Sequence, residues 1–149
     1  MAIKRFQAEL RAATDYHIAN YGYALVLARL GRRQEAISHF LKALEKKALN
    51  PYILGELGRV YFQEGTYDKA QRLLESAVSM GPADPDAMFF LGRTYMELDQ
   101  NEKAAAILGK LIEKYPDFTD VHYFLGTAQG KQGNMTDAHY HLGVFYARK

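Results

Sequence analysis

The chain has 149 residues, 48% of them hydrophobic and 24% charged, a balance that excludes intrinsic disorder and is ordinary for a globular protein with a buried core. Nineteen Lys and Arg against seventeen Asp and Glu leave a net charge of only +2, too little to argue for nucleic acid as a partner by bulk electrostatics. The absence of cysteine excludes disulfides, thiolate metal sites and cysteine nucleophiles, and no apolar run reaches the roughly 20 residues that cross a bilayer.

Residues 1–16 place Ile3, Phe6 and Leu10 on one stripe of an amphipathic helix. The stretch alternates in charge and has neither an apolar core nor a small-residue cleavage site, so it does not read as a signal peptide. If the protein is exported, its signal is missing from this sequence, and cytoplasm and periplasm both stay open.

From residue 17 onward the letters recur with a period of 34 residues. Leu57-Gly58, Leu91-Gly92 and Leu125-Gly126 mark the phase, and Tyr23-Ala24 holds the same place one period earlier. Ala36, Ala70, Ala104 and Ala138 follow at the same interval, as do Phe40, Leu74, Leu108 and Leu142, and Ala43, Ala77, Leu111 and Phe145. The units run 17–50, 51–84, 85–118 and 119–149, with Pro82 and Pro116 closing the middle two.

Each unit is predicted to form two helices. In the second, Leu54, Leu57, Gly58 and Tyr61 share one helical face, and Ala70, Leu73, Leu74, Ala77 and Val78 share another, ended by Gly81-Pro82. Between them comes a turn. Gly31, Gly65 and Gly133 keep one phase there as left-handed stops, and Asp99, one of the few other residue types that tolerate that conformation, takes the place in the third unit. Small residues at Gly58 and Ala70 are expected to let the two helices approach closely.

The pattern L-G-x-x-Y, then A, an aliphatic or aromatic residue, A and P, over 34 residues, resembles the tetratricopeptide repeat family across residues 16–149. The resemblance implies an all-α, right-handed superhelical solenoid of antiparallel helix pairs: a single domain over 1–149 with four repeats plus an N-terminal helix. Ala2, Phe6 and Leu10 keep phase with Ala36, Phe40 and Leu44, so that helix looks like the second helix of a preceding unit. The sequence departs from the family in places. Asn20, Leu54, Met88 and His122 stand where a tryptophan is frequent, Gln129 stands where Tyr61 and Tyr95 sit, and the first unit has only Ala48 and a later Leu49-Asn50-Pro51 in place of its closing proline.

At about 100° per residue, repeat positions 4, 7, 8 and 11 fall on one arc of the first helix, and positions 2, 5, 9, 12 and 13 fall on another. In the family the second arc lines a concave groove. The candidate peptide-binding residues carried onto this chain are Tyr21, Tyr52, Arg59, Phe62, Phe89, Arg93, Met96 and Tyr123, an aromatic and thioether stripe with arginines repeating in register. Contiguous exposed aromatics bury on a partner, and arginine grips a carboxylate or a peptide carbonyl with forked hydrogen bonds. The resemblance therefore implies a non-catalytic protein–protein interaction scaffold for an extended or helical peptide with apolar anchors and at least one acidic group. The alternative is that Phe62, Phe89 and Met96 pack between units while Arg59 and Arg93 pair with Glu56, Asp86 or Glu97. Tyr21, Gly55, Phe89 and Tyr123 occupy the places of the lysine that some co-chaperones of the family use to clamp chaperone tails, so that ligand is not expected.

His139 and His141 project about 200° apart on one helix and cannot grip one ion together, and no H-E-x-x-H pair exists. His141 takes the place of Leu73 and Ile107, so His122 and His141 read as partly buried core residues, with metal binding by His122 and His139 as the rival. Phosphate-loop and triad motifs are absent as well, so neither catalysis nor a cofactor or metal is expected. The last helix presents Leu142, Phe145 and Tyr146 without a further unit to cover them, which gives two expectations: excision from a longer protein, and a homodimer through that helix. GTAQGKQGNMTDAHYHLGVFYARK also resembles the repeat tail of bacterial envelope zinc metalloproteases. That resemblance implies a docking or regulatory region of a periplasmic protease whose catalytic half lies elsewhere.

Overall fold

The computed structural model describes residues 2–5, 16–46, 50–80 and 84–149. Among them all regular structure is helical: α1 (Tyr16–Arg29), α2 (Arg33–Lys46), α3 (Pro51–Gln63), α4 (Tyr67–Ser79), α5 (Pro85–Glu97), α6 (Asn101–Lys114), α7 (Thr119–Lys131) and α8 (Met135–Arg148). Residues 2–5 are helical too, and Ile3 packs on the first core cluster. Phe6, Leu10, Ala48, Leu49 and the Gly81-Pro82 stop lie outside the described residues.

Local chemistry sets the helix ends. Pro51 and Pro85 open α3 and α5, where the missing N–H costs nothing, and the Asn50 and Asp84 side chains accept from Tyr52 N at 2.9 Å and Asp86 N at 3.1 Å. The four turns within units are alike. Gly31, Gly65, Asp99 and Gly133 have φ of 78°, 80°, 60° and 85°. The next amide in each case, on Arg32, Thr66, Gln100 and Asn134, donates five residues back to Leu27, Tyr61, Tyr95 and Gln129 at 2.8–2.9 Å. This double-bonded stop demands a left-handed residue, so we expect Asp99→Gly to preserve or slightly raise stability and Asp99→Ala to cost about 1 kcal/mol, read from urea midpoints.

The helices pack as pairs, α1 on α2, α3 on α4, α5 on α6 and α7 on α8, and each second helix packs on the next first helix. First helices also touch each other, α1 to α3, α3 to α5 and α5 to α7, whereas among the described residues second helices do not. The layer whose members touch one another is the inner side of a curved stack, so α1, α3, α5 and α7 line the concave surface. The result is a solenoid of antiparallel helix pairs. Its core is a row of clusters, from Leu27, Phe40 and Leu57 through Leu74, Leu91 and Ala104 to Leu108, Leu111, Val121 and Leu125.

Close approach within a pair falls at the glycines, each facing a leucine of the second helix. A Cβ built on Gly58, Gly92 or Gly126 would stand 2.7, 2.6 and 2.9 Å from the Cγ of Leu74, Leu108 and Leu142. The glycine therefore accommodates the leucine sixteen residues on; in the last unit the carbonyl oxygen of Ala138, twelve residues on, also stands 3.1 Å away. The same pairs contain a polar cross-link at each end of the stack. His39 Nδ1 lies 2.7 Å from Asn20 Oδ1, and His122 Nδ1 lies 2.9 Å from His141 Nδ1, whereas the equivalent places of the middle units hold Leu54 with Leu73 and Met88 with Ile107. His122 is buried and His141 half-buried. Gln129, standing where Tyr95 donates to Glu75 at 2.6 Å, leaves its Oε1 buried without a partner among the described residues.

Candidate peptide-binding groove

The eight candidate residues divide by depth. Tyr52 is 67% exposed and Tyr123 36%, while Phe62 and Phe89 are only 9% exposed and form floor between units. Tyr21, Arg93 and Met96 are half-buried and Arg59 is exposed. Packing brings the middle of the set together. The Arg93 guanidinium stands over Phe124 at 4.8 Å, Phe62 at 4.9 Å, and Phe89 and Phe90 at 5.5 Å. Arg59 stands over the other neighbour, Phe90, at 5.0 Å. Neither arginine has a salt-bridge partner among the described residues; each meets ring faces and leaves the donors along its edge for something else. At the ends of the set the tyrosines also meet other rings, and Tyr123 touches the ladder at Phe124, 5.1 Å away. Tyr21 packs on Phe40 at 6.1 Å, and Tyr123 on Phe145 of α8 at 5.1 Å.

Between α1 and α3 the groove deepens into a cleft of about 540 Å³ lined by Tyr21, Leu25, Arg29, Glu56, Arg59 and Gln63. Burial raises the Glu56 carboxyl above the usual carboxylate range, with Asp84 and Asp86 adding to the effect and Arg59 and Arg29 opposing it. Burial likewise raises the Tyr21 phenol, helped by Glu56. Glu56, Phe90 and Phe124 are absent from the residues picked by sequence. They share repeat position 6, which lies about 40° from position 2 and about 20° beyond position 13, just outside the edge of that arc.

The histidines lie elsewhere. His122 reaches His141, not His139, and among the described residues no group of three or more metal-capable side chains comes together. No described helix is long and apolar enough to cross a membrane.

Models of the tetratricopeptide repeat match residues 2–51, 27–78 and 61–128. The chain belongs to the tetratricopeptide repeat family. A comparison of this TPR chain with curated proteins gives no match. Among solved structures, a MamA RS-1 double mutant has a TM-score of 0.91 at 24% identity, over 97% of this chain and 82% of that one. MamA from residue 41 onward, of Desulfovibrio magneticus RS-1, gives 0.89 at 24% over 97% and 82%. YrrB, described as a TPR protein with an unusual peptide-binding site, gives 0.90 at 20% over 99% and 76%. At such identities the likeness is one of fold. The TPR groove described above is therefore read from its own side chains.

Proposed function

We propose that this TPR chain is a non-catalytic interaction scaffold that holds a peptide or protein segment in its concave groove, with Arg59 and Arg93 taking an acidic group and Tyr52 and the Phe90–Phe124 edge taking apolar ones. The observation that carries the reading is the pair of arginines fixed on phenylalanine faces with no carboxylate of the chain at salt-bridge distance among the described residues. An arginine whose own protein satisfied it would be part of the packing. These two keep planar, oriented donors facing the groove, and a stacked side chain loses less conformational entropy on binding. The similarly folded YrrB, with its unusual peptide-binding site, supports the same use of a TPR surface.

The test is selection of binders from a displayed random-peptide library, followed by affinities for the wild type, Tyr52→Ala, Arg59→Lys with Arg93→Lys, and Arg59→Ala with Arg93→Ala. A charge-assisted hydrogen bond is worth about 1.5 to 3 kcal/mol, so the double alanine variant should weaken selected peptides at least about tenfold. The lysine variant keeps charge but loses the fork and should fall between. Selected peptides that bind the alanine variant at full strength would overturn the proposal.

A further inference from the structure

In the cleft between α1 and α3, Glu56 supplies a carboxyl and Arg29 and Arg59 supply cations. Glu56 is half-buried, and among the described residues it forms neither a hydrogen bond nor a salt bridge. Arg59, three residues on, is its neighbour on the surface of α3, since i and i+3 share a helical face. The Arg59 guanidinium stands instead over Phe90, at 5.0 Å. The other charged and titratable groups around Glu56 are Arg29 and Tyr21 on α1 and Asp84 and Asp86 at the start of α5. Two arginines against two aspartates leave no surplus of positive charge to hold this carboxyl ionised.

An acidic group on Arg59 arrives beside Glu56. It brings a like charge and shuts out water, and both effects disfavour a second ionised carboxylate in one site. A proton removes the conflict. Protonated Glu56 is an O–H donor and hydrogen-bonds the carboxylate that its ionised form repels.

We propose that the groove takes up its acidic ligand together with one proton, carried on Glu56 and shared with the ligand carboxylate held at Arg59. This rests on the groove reading above and adds what regulates it. Burial already raises the free Glu56 carboxyl, with Asp84 and Asp86 adding to the effect and Arg59 and Arg29 opposing it; the bound ligand raises it further. Above the bound-state value Glu56 is ionised with and without ligand, and no proton is taken up. As pH falls below that value affinity climbs, by at most about tenfold per pH unit for one proton. The climb ends where free Glu56 is itself protonated, or where the ligand carboxylate titrates, at about pH 4.3 for a glutamate.

The experiment is titration calorimetry with N-acetylated, C-terminally amidated peptides from the library selection that carry one glutamate, and with their glutamine counterparts. Runs between about pH 5.5 and pH 8, in buffers of different ionisation enthalpy, read proton uptake directly. The wild type should take up a proton on binding the glutamate peptides, and its affinity should rise about fivefold or more from pH 7.5 to pH 5.5. Glutamine peptides should bind more weakly and take up none. Glu56→Gln has the shape of the protonated side chain, so at pH 7.5 it should bind as tightly as the wild type does at pH 5.5, without proton uptake. Circular dichroism melts confirm that the variant is folded, and the wild-type proton count stands without it. Glutamate peptides that depend on Arg59 yet bind without proton uptake, or whose uptake persists in Glu56→Gln, overturn the coupling and leave the groove reading standing. Weaker binding by Glu56→Gln at every pH does the same, by making Glu56 the partner of a ligand cation or N–H. A library that yields no binders, or binders indifferent to both Arg59→Ala and Arg93→Ala, overturns both.

Discussion

Gly92→Val is expected to destabilise the protein by about 2 to 3 kcal/mol, while Gly109→Ala is expected to stabilise it by up to about 1 kcal/mol. Both glycines are inside helices, α5 and α6, where glycine costs about 1 kcal/mol relative to alanine. Propensity alone gives the two substitutions the same sign; packing separates them. A Cβ on Gly92 would stand 2.5 Å from Leu108 Cδ2 and 2.6 Å from its Cγ, and Leu108 is fully buried in the core. A Cβ on Gly109 meets nothing within 4 Å. For a chain of this size each kcal/mol moves Tm by roughly 2 to 4 °C, so thermal melts should separate the pair by about 10 °C. Coupling gives the sharper check. Leu108→Ala alone should cost about 2 to 5 kcal/mol, and less in the Gly92→Val background, because the cavity admits the new methyl groups. Additive costs would show that the two residues do not share the contact.

His122→Leu combined with His141→Leu should leave stability near neutral pH unchanged or improved, and should flatten its fall toward acid. The pair occupies the place that Leu54 and Leu73 fill in the second unit. Replacing both hydrogen-bonded partners by apolar groups is near neutral, whereas His122→Leu alone strands a polar atom of His141 and should cost about 1 to 3 kcal/mol. The pH sign follows from the groups around the pair. Burial lowers the pKa of His122, and His141 and Arg148 lower it further against a hydrogen bond to the Pro116 carbonyl; burial also lowers His141, with Asp137 opposing. A histidine whose folded pKa lies below its unfolded value is neutral in both states at high pH. As pH falls through about 6.5 the unfolded chain takes up protons first, so stability is present above that value and is lost below it. Urea midpoints for the wild type should therefore drop between about pH 7.5 and pH 5, and the double leucine variant should keep the slope due to His39, whose pKa burial also lowers, opposed at the acid end by Glu56, whose pKa burial raises. An unchanged slope would place the acid sensitivity elsewhere.

Gly31, Gly65, Asp99 and Gly133 all have positive φ, including the one that is not glycine, because a left-handed stop admits few residue types and therefore leaves a mark in the letters. Arg59 and Arg93 are on the concave side because 100° per residue is a rigid rule within a helix. Phe90 and Phe124 fall just outside the edge of the groove-lining arc, and a hydrophobic residue there does not announce that a guanidinium will meet it. The leucine that faces each glycine was hidden for a related reason. Phase gives which residues are equivalent between units, and says nothing of which residue of one helix faces which residue of the next.

The period, the paired helices and the left-handed stops within the units were legible in the letters alone, since they depend on local dihedrals and on rotation along one helix. It took the packed molecule to put Leu108 on Gly92, to bring His122 to His141, and to stand Arg93 among phenylalanines of three units. Those contacts depend on the distance and rotation between packed helices, which are set by the sum of many side-chain volumes at once and leave no signature at any single position.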